Sequence, residues 1–204
     1  MLRATWRSAN EEELTRAEFG TLVHQILEQV LIRKLKGKEA DRLVTRFTQD
    51  LGEKMRQEIL EMVRRFIQSE EAQALLKSRA FHAELPFVLR LPHGLIHGKA
   101  DLVYQNQKGD WIVLDYKTSV VDESSFAARG EEYRIQLELY ALALSKILGV
   151  PPAEARIHFL RPSLTHRIPF APDDFEKFFQ KFTDLQSKII EFRKERLLSP
   201  LPVG

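Results

Sequence analysis

A chain of 204 residues, 44% hydrophobic and 29% charged, is long enough to bury one sizeable core and reads as a soluble globular protein. Its net charge of +2 favours neither an acidic nor a basic partner, because a total conceals local clefts of one sign. The lack of any cysteine excludes disulfides, thiolate zinc sites, iron–sulfur clusters and cysteine nucleophiles, and the lack of a long apolar run or a signal-like N-terminus sets the expectation of a cytoplasmic protein with no membrane span. Residues 1–14 are polar and read as a flexible connector. Thr15-Arg16-Ala17-Glu18 has capping-box form. Phe19, Leu22, Val23, Ile26, Leu27, Val30 and Leu31 then recur at helical spacing, which predicts an amphipathic helix ending near Lys36-Gly37-Lys38.

A second helical region is expected from about Ala40 to Ile67, kinked at Gly52. Leu43, Phe47, Leu51, Met55, Ile59, Val63 and Ile67 recur in it every four residues. Glu70–Lys77 reads as a short helix that completes a helical layer over residues 15–78. Phe81–Leu91 reads as a strand, with Pro86 pointing to an edge or a bulge. Two further strand-like runs, Leu95–Tyr104 and Trp111–Lys117, flank a polar turn. The polar stretch Ser119–Gly130 reads as a mobile loop, followed by a helix over Tyr133–Leu148 that Gly149 and two prolines end. Ala155–Leu160 and Leu164–Phe170 read as paired strands, and Asp173–Leu197 as a long helix with Phe175, Phe178, Phe179, Phe182, Leu185 and Ile189 on its apolar side. The order predicts an α/β fold with a central mixed sheet flanked by helices. One domain is expected over 15–198, with its sheet-and-helix core over 79–198 and a tail over 199–204.

The hairpin carries the chemistry. A three-residue loop, Gln107-Lys108-Gly109, would put Gly109 at the left-handed position such loops need. Val103 then faces Val113 and Leu102 faces Leu114, so apolar residues match along the ladder. Asp101 falls opposite Asp115, and Lys117 shares the side-chain direction of Asp115. Facing carboxylates ~4.5–5.5 Å apart at Cα repel each other, and a divalent cation between them removes the repulsion. Carboxylate oxygens suit Mg²⁺ or Mn²⁺, and the ammonium would orient or deprotonate a water or stabilise a phosphate. The bland alternative is a surface hairpin with an Asp–Lys ion pair.

Three other places stand out. His24 lies on the shoulder of its helix's apolar stripe, with Gly20 one turn before and Glu28 one turn after. It is either a half-buried histidine paired with Glu28 or a nitrogen ligand that completes an aspartate-rich site. Gln136 and Tyr140 share a helix face, either as a polar edge beside the core or as a pair that contacts a nucleic-acid backbone or braces the catalytic strand. Glu84 is either an exposed strand residue or a further carboxylate aimed at the metal region.

In combination these runs are far more specific. GTLVH, AELPF, GKAD, LDYKT and QLELY, in that order, resemble the RecB-type nuclease family of the PD-(D/E)xK superfamily over about residues 15–145. The resemblance implies a restriction-endonuclease-like fold and Mg²⁺-dependent hydrolysis of DNA. It implies His24, Asp101 and Asp115 as metal ligands, Lys117 as the catalytic lysine, Gln136 and Tyr140 as the Q-x-x-x-Y pair, and Glu84 as an accessory acid. Ala100 stands where the superfamily's proline would be, as is common in RecB-type members. Without cysteines the chain lacks the iron–sulfur staple of one branch, and so looks more like the C-terminal nuclease domain of RecB- or AddA-like helicase–nucleases. No GxxxxGK[ST] loop occurs in it, so the helicase motor is expected upstream on a longer polypeptide or on another chain. The expected function is that of a DNA exonuclease of recombination and repair. A rival reading keeps the fold as a non-catalytic DNA-binding or scaffolding module, and a weaker one turns the enzyme on RNA or small nucleotides.

Overall fold

The computed structural model describes residues 14–198, so the connector expected over 1–14 (Leu14 excepted) and the tail over 199–204 lie outside the described residues. The chain divides into two compact units, the first ending at Ser69 and the second beginning at Glu70.

The first unit holds three helices: α1 (Arg16–Ile32), α2 (Lys38–Phe47) and α3 (Glu53–Gln68). The Thr15–Glu18 capping box forms as expected, each partner satisfying the other's backbone N–H. The helix stops earlier than its basic turn suggests. Lys34 takes the left-handed conformation (φ 52°), Leu35 N–H reaches back to Val30 and Lys34 N–H to Leu31, and this pair of bonds closes the last turn. Gly37 instead precedes α2 as its N-cap. The single kinked helix expected over 40–67 is two helices. Each four-residue step overshoots a turn by about 40°, so the Leu43-to-Met55 series winds around a straight helix and leaves its buried face. The chain breaks after Phe47, and α3 restarts with Ile59, Met62, Val63 and Phe66 buried. Arg56 braces the break by donating to the Leu51 carbonyl at 3.2 Å, and Arg64 ties α3 to Asp41 of α2 with two 2.8 Å bonds.

The second unit opens with α4 (Glu70–Leu76), which the sequence pattern groups with the helical layer. Five strands follow: β1 (Phe81–Leu91), β2 (Gly94–Gln105), β3 (Trp111–Lys117), β4 (Glu154–Phe159) and β5 (Leu164–Pro169). They lie in chain order in one mixed sheet, antiparallel except for the parallel pair β3–β4. That pair needs a crossover, made by α5 (Phe126–Glu132) and α6 (Arg134–Leu148). The stretch expected as a mobile loop therefore carries a helix. Phe126 packs on the core, and at Gly130, the last residue of that stretch, the His166 ring lies too close for any β-carbon.

One face of the sheet buries Val103, Val113, Ala155, Ile157 and Phe159 against Leu137 and Leu144 of α6. At the β1 edge, Phe87, Leu89 and Leu91 alternate inward and meet Phe178 and Phe182 of α7 (Asp174–Leu198). Each inward aliphatic or aromatic side chain contributes about 1.5–3 kcal/mol of burial. The stripe of α7 leaves the core farther along, where Leu185 and Ile189 are 44% and 45% exposed.

Candidate active site

The hairpin folds in the predicted register. Asn106 closes the loop by accepting from Lys108 and Asp110 N–H, Gly109 takes φ 94°, and Val103↔Val113 and Leu102↔Leu114 pair as expected. The β1–β2 ladder adds a third strand. Its pairs Ala83↔Leu102 and Leu85↔Ala100 bracket Glu84 opposite Asp101. Glu84 and Asp101 thus stand at one level across β1 and β2, while the Asp101–Asp115 facing expected from the hairpin is not among the β2–β3 pairs formed, which stop one step short of it at Leu102↔Leu114.

Both ladders give way at that level. The β1–β2 ladder skips the Glu84–Asp101 step, and Glu84 adopts φ 52°, a conformation that costs a non-glycine residue roughly 1–2 kcal/mol. The β2–β3 ladder ends at Leu102↔Leu114. There the Asp101 carboxylate takes over a backbone partner's work and accepts the Tyr116 N–H at 2.9 Å. The N–H stays satisfied although the strand pairing has stopped. One carboxylate oxygen of Glu84 and one of Asp101 lie within 4.8 Å of each other, and Lys99 forms an ion pair with Glu84.

Asp115 is 1% exposed, and a buried carboxylate requires charge and hydrogen-bond compensation. Strand alternation supplies the first part: Lys117 Nζ lies 2.6 Å from Asp115 Oδ2. α6 supplies the second. Gln136 Nε2 donates to Asp115 Oδ1 at 2.9 Å and to the Tyr140 hydroxyl at 2.7 Å, while Gln136 Oε1 accepts from Lys117 Nζ at 3.3 Å. One amide therefore holds both an anion and a cation. Burial pushes the Tyr140 hydroxyl up to about 12, and burial followed by the charges of Asp101 and Glu84 pushes Tyr116 well above the ordinary phenol range. Both phenols stay protonated at neutral pH.

The second unit thus gathers Glu84, Asp101, Asp115, Lys117, Gln136 and Tyr140. His24 lies half-buried on α1 in the first unit. Sequence reasoning missed three further contributors. Tyr133 places its ring 4.5 Å beneath Lys117 Nζ, and its position three residues before Gln136 was the available signal. Arg161 donates to the Thr118 carbonyl at 2.6 Å and fixes the chain just after Lys117. Gly98 lets the Phe87 ring lie directly over β2, where a β-carbon would collide with it, and Phe87 in turn meets Tyr140 edge-on at 5.4 Å.

An Asp-x-Lys pair ending a central strand of such a sheet, with a second aspartate on the neighbouring strand, is the arrangement of a nuclease. The chain belongs to the PD-(D/E)XK nuclease superfamily, whose family model matches residues 1–199. It is similar to an ATP-dependent helicase/nuclease subunit of Oceanobacillus iheyensis, 26% identical over an alignment of 182 positions that covers 78% of this chain and 14% of the relative. The ATP-dependent helicase/nuclease subunit of the same name from Clostridium perfringens is 25% identical over an alignment of 178 positions that covers 72% of this chain and 14% of the relative. The chain therefore spans about a seventh of the length of these relatives. A crystal structure of a candidate exonuclease from Eubacterium rectale shares the fold, with a TM-score of 0.56 at 13% identity over 98% of this chain and 79% of that one. No helix among the described residues is long and apolar enough to cross a membrane.

Proposed function

We propose that this chain is the nuclease domain of a helicase–nuclease and hydrolyses DNA phosphodiester bonds as an exonuclease of recombination and repair. In this reading residues 15–198 act as one domain in the cytoplasm, and the motor lies on the same or another chain. The observation that carries the proposal is the Glu84–Asp101 carboxylate pair across β1 and β2 together with the Asp115–Lys117 pair at the end of the neighbouring β3. The donor set fits a hard divalent cation, Mg²⁺ or Mn²⁺. It offers carboxylate oxygens from adjacent strands, two of them within 4.8 Å of each other, and no thiolate.

Asp101 and Asp115 are the proposed ligands, with Glu84 accessory. His24 enters as a nitrogen ligand from the family resemblance. A bound divalent ion would supply Lewis acidity and a more acidic water. Lys117 then has two tasks: to orient the attacking water and to neutralise charge that builds on the phosphate oxygens. Gln136 keeps the Lys117 ammonium and the Asp115 carboxylate in one fixed geometry, and Tyr133 supports the ammonium from below. That every acidic, basic and amide position is filled supports an enzyme over a scaffolding module.

The test is cleavage of end-labelled linear single- and double-stranded DNA with Mg²⁺ or Mn²⁺. The wild type should release metal-dependent products and Lys117→Ala should not. Asp115→Ala should abolish divalent-ion binding by calorimetry. Stable DNA binding without cleavage under either metal would refute the enzyme reading.

A further inference from the structure

The first unit carries a charge feature that the proposed chemistry does not use. Residues 33–47 hold six basic side chains, Arg33, Lys34, Lys36, Lys38, Arg42 and Arg46, against two acidic ones, Glu39 and Asp41. Asp41 is already taken by Arg64, whose guanidinium holds that carboxyl below the usual range. Among the described residues none of the six basic side chains is in an ion pair. The contrast lies within the same unit: on α3, Arg56, Arg64 and Arg65 pair with Glu53, Asp41 and Glu61. A chain of net charge +2 thus concentrates twice that excess in one turn-and-helix segment.

The segment borders a groove of about 330 Å³ between α1 and α2. Gln29 and Arg33, one turn apart, form the α1 wall, and Leu43, Arg46 and Phe47 form the α2 wall. Leu43 is buried and supplies an apolar floor, while Phe47 is 38% exposed. The helix dipole accounts for an arginine at the end of each helix taken singly. It does not account for two arginines converging on one groove with an exposed aromatic ring and a half-buried amide.

That donor set matches one ligand class. Guanidinium groups bind phosphate oxygens in a fixed fork, an exposed ring stacks on a base, and an amide bonds a base edge. A duplex hides its base faces, so the aromatic wall selects a single strand. We propose that the α1–α2 groove is a binding site for single-stranded DNA, with Arg33 and Arg46 on the backbone phosphates and Phe47 stacked on a base. The choice of DNA over RNA rests on the nuclease reading above; the groove chemistry does not.

The test is fluorescence anisotropy of a labelled oligothymidylate with the full chain in excess chelator, so that no cleavage is required. Arg33→Glu/Arg46→Glu should weaken binding roughly tenfold or more and reduce the log–log salt slope by about 1.4, the value for two single-strand phosphate contacts. Phe47→Ala should weaken it roughly fivefold or more at an unchanged salt slope, and Phe47→Tyr should restore it. The three groove positions are exposed, and an unchanged circular dichroism spectrum will verify folding. Groove variants that bind the oligonucleotide like the wild type would overturn the proposal. So would a preference for polyglutamate, which marks an acidic protein surface, or equal loss on duplex, which marks a base-independent patch. Groove-dependent binding without metal-dependent cleavage would refute the nuclease reading alone; cleavage with groove-independent binding would refute this inference alone.

Discussion

Gln136→Ala removes the amide that joins the two charges of the candidate site. The wild-type amide makes three bonds: 2.9 Å to Asp115, 2.7 Å to Tyr140 and a longer 3.3 Å contact from Lys117. Bonds to charged groups contribute about 1.5–3 kcal/mol and neutral ones about 0.5–1.5 kcal/mol. Asp115 keeps Lys117 as a partner, so part of the loss is recovered. The expected destabilisation is about 2–4 kcal/mol, read from urea unfolding. Because Lys117 and Asp115 lose their shared brace, kcat on a labelled DNA substrate should fall about 10–100-fold. Tyr140→Phe deletes only the hydroxyl and should cost about 1 kcal/mol. The two changes remove the same bond, so the double variant should lose less than the sum, with a coupling of about 0.5 kcal/mol or more. Gln136→Glu keeps the length and the acceptor for Lys117 but sets a second carboxylate against a buried one, so it should not rescue. A Gln136→Ala loss below about 0.5 kcal/mol, or strict additivity with Tyr140→Phe, would refute the bracket.

Two further outcomes concern the opposite side of β4. His158 is 1% exposed, its Nδ1 is 2.9 Å from the Thr165 hydroxyl, and burial, partly opposed by Glu71, pushes its pKa down to about 4. The folded chain therefore keeps it neutral while the unfolded chain protonates it near 6.5. Its contribution is full above 6.5 and lost as pH falls toward 4, by about 3 kcal/mol, so His158→Gln should flatten the urea stability profile in that window; an identical profile would refute the assignment. Glu71, 2% exposed, holds Arg156 and Arg167 and meets the Tyr104 hydroxyl. Glu71→Ala leaves the Arg156 guanidinium buried with Glu154 as its remaining carboxylate, and should cost about 3–5 kcal/mol in urea unfolding. A loss below about 1 kcal/mol would show that the network relaxes around the gap.

What was legible in the sequence is what local chemistry decides. The Thr15 capping box, the Gly109 loop and the Val103↔Val113 register each follow from a few neighbouring residues, and each formed as expected. The family was legible because five short runs had to occur in one order. Failures occurred where tertiary packing overrode a local rule. Lys34 takes a left-handed turn that favours glycine, with Gly37 three residues away. α5 survives an internal glycine because His166 needs the space. The Glu71–Arg156–Arg167 network joins residues up to 96 positions apart, and no periodicity marks it. Glu84 was legible as a candidate; its left-handed backbone, and so its alignment with Asp101, was not.

The acid row shows why a sheet can hold such a site at all. Two full charges 4.8 Å apart repel by roughly 3 kcal/mol at an effective dielectric of about 20 and by about 1 kcal/mol in water. Three acids at one level of an unbroken ladder would bear that cost twice. Here each acid has its own compensation, and the compensations are unequal. Asp115 is bracketed by Lys117 and Gln136 out of solvent, and Asp101 is held by a buried backbone N–H. Glu84 pairs with Lys99, whose side chain is 56% exposed and whose attraction solvent screens. The Glu84–Asp101 edge is the part of the row nearest that exposed side chain. It is also where both ladders have released their backbone pairing. A divalent cation held by Asp101 and Asp115, as proposed, would have Glu84 as its accessory acid. The strained φ of Glu84 would then be explained by metal binding rather than by the sheet, because an ordinary β conformation there would complete the ladder.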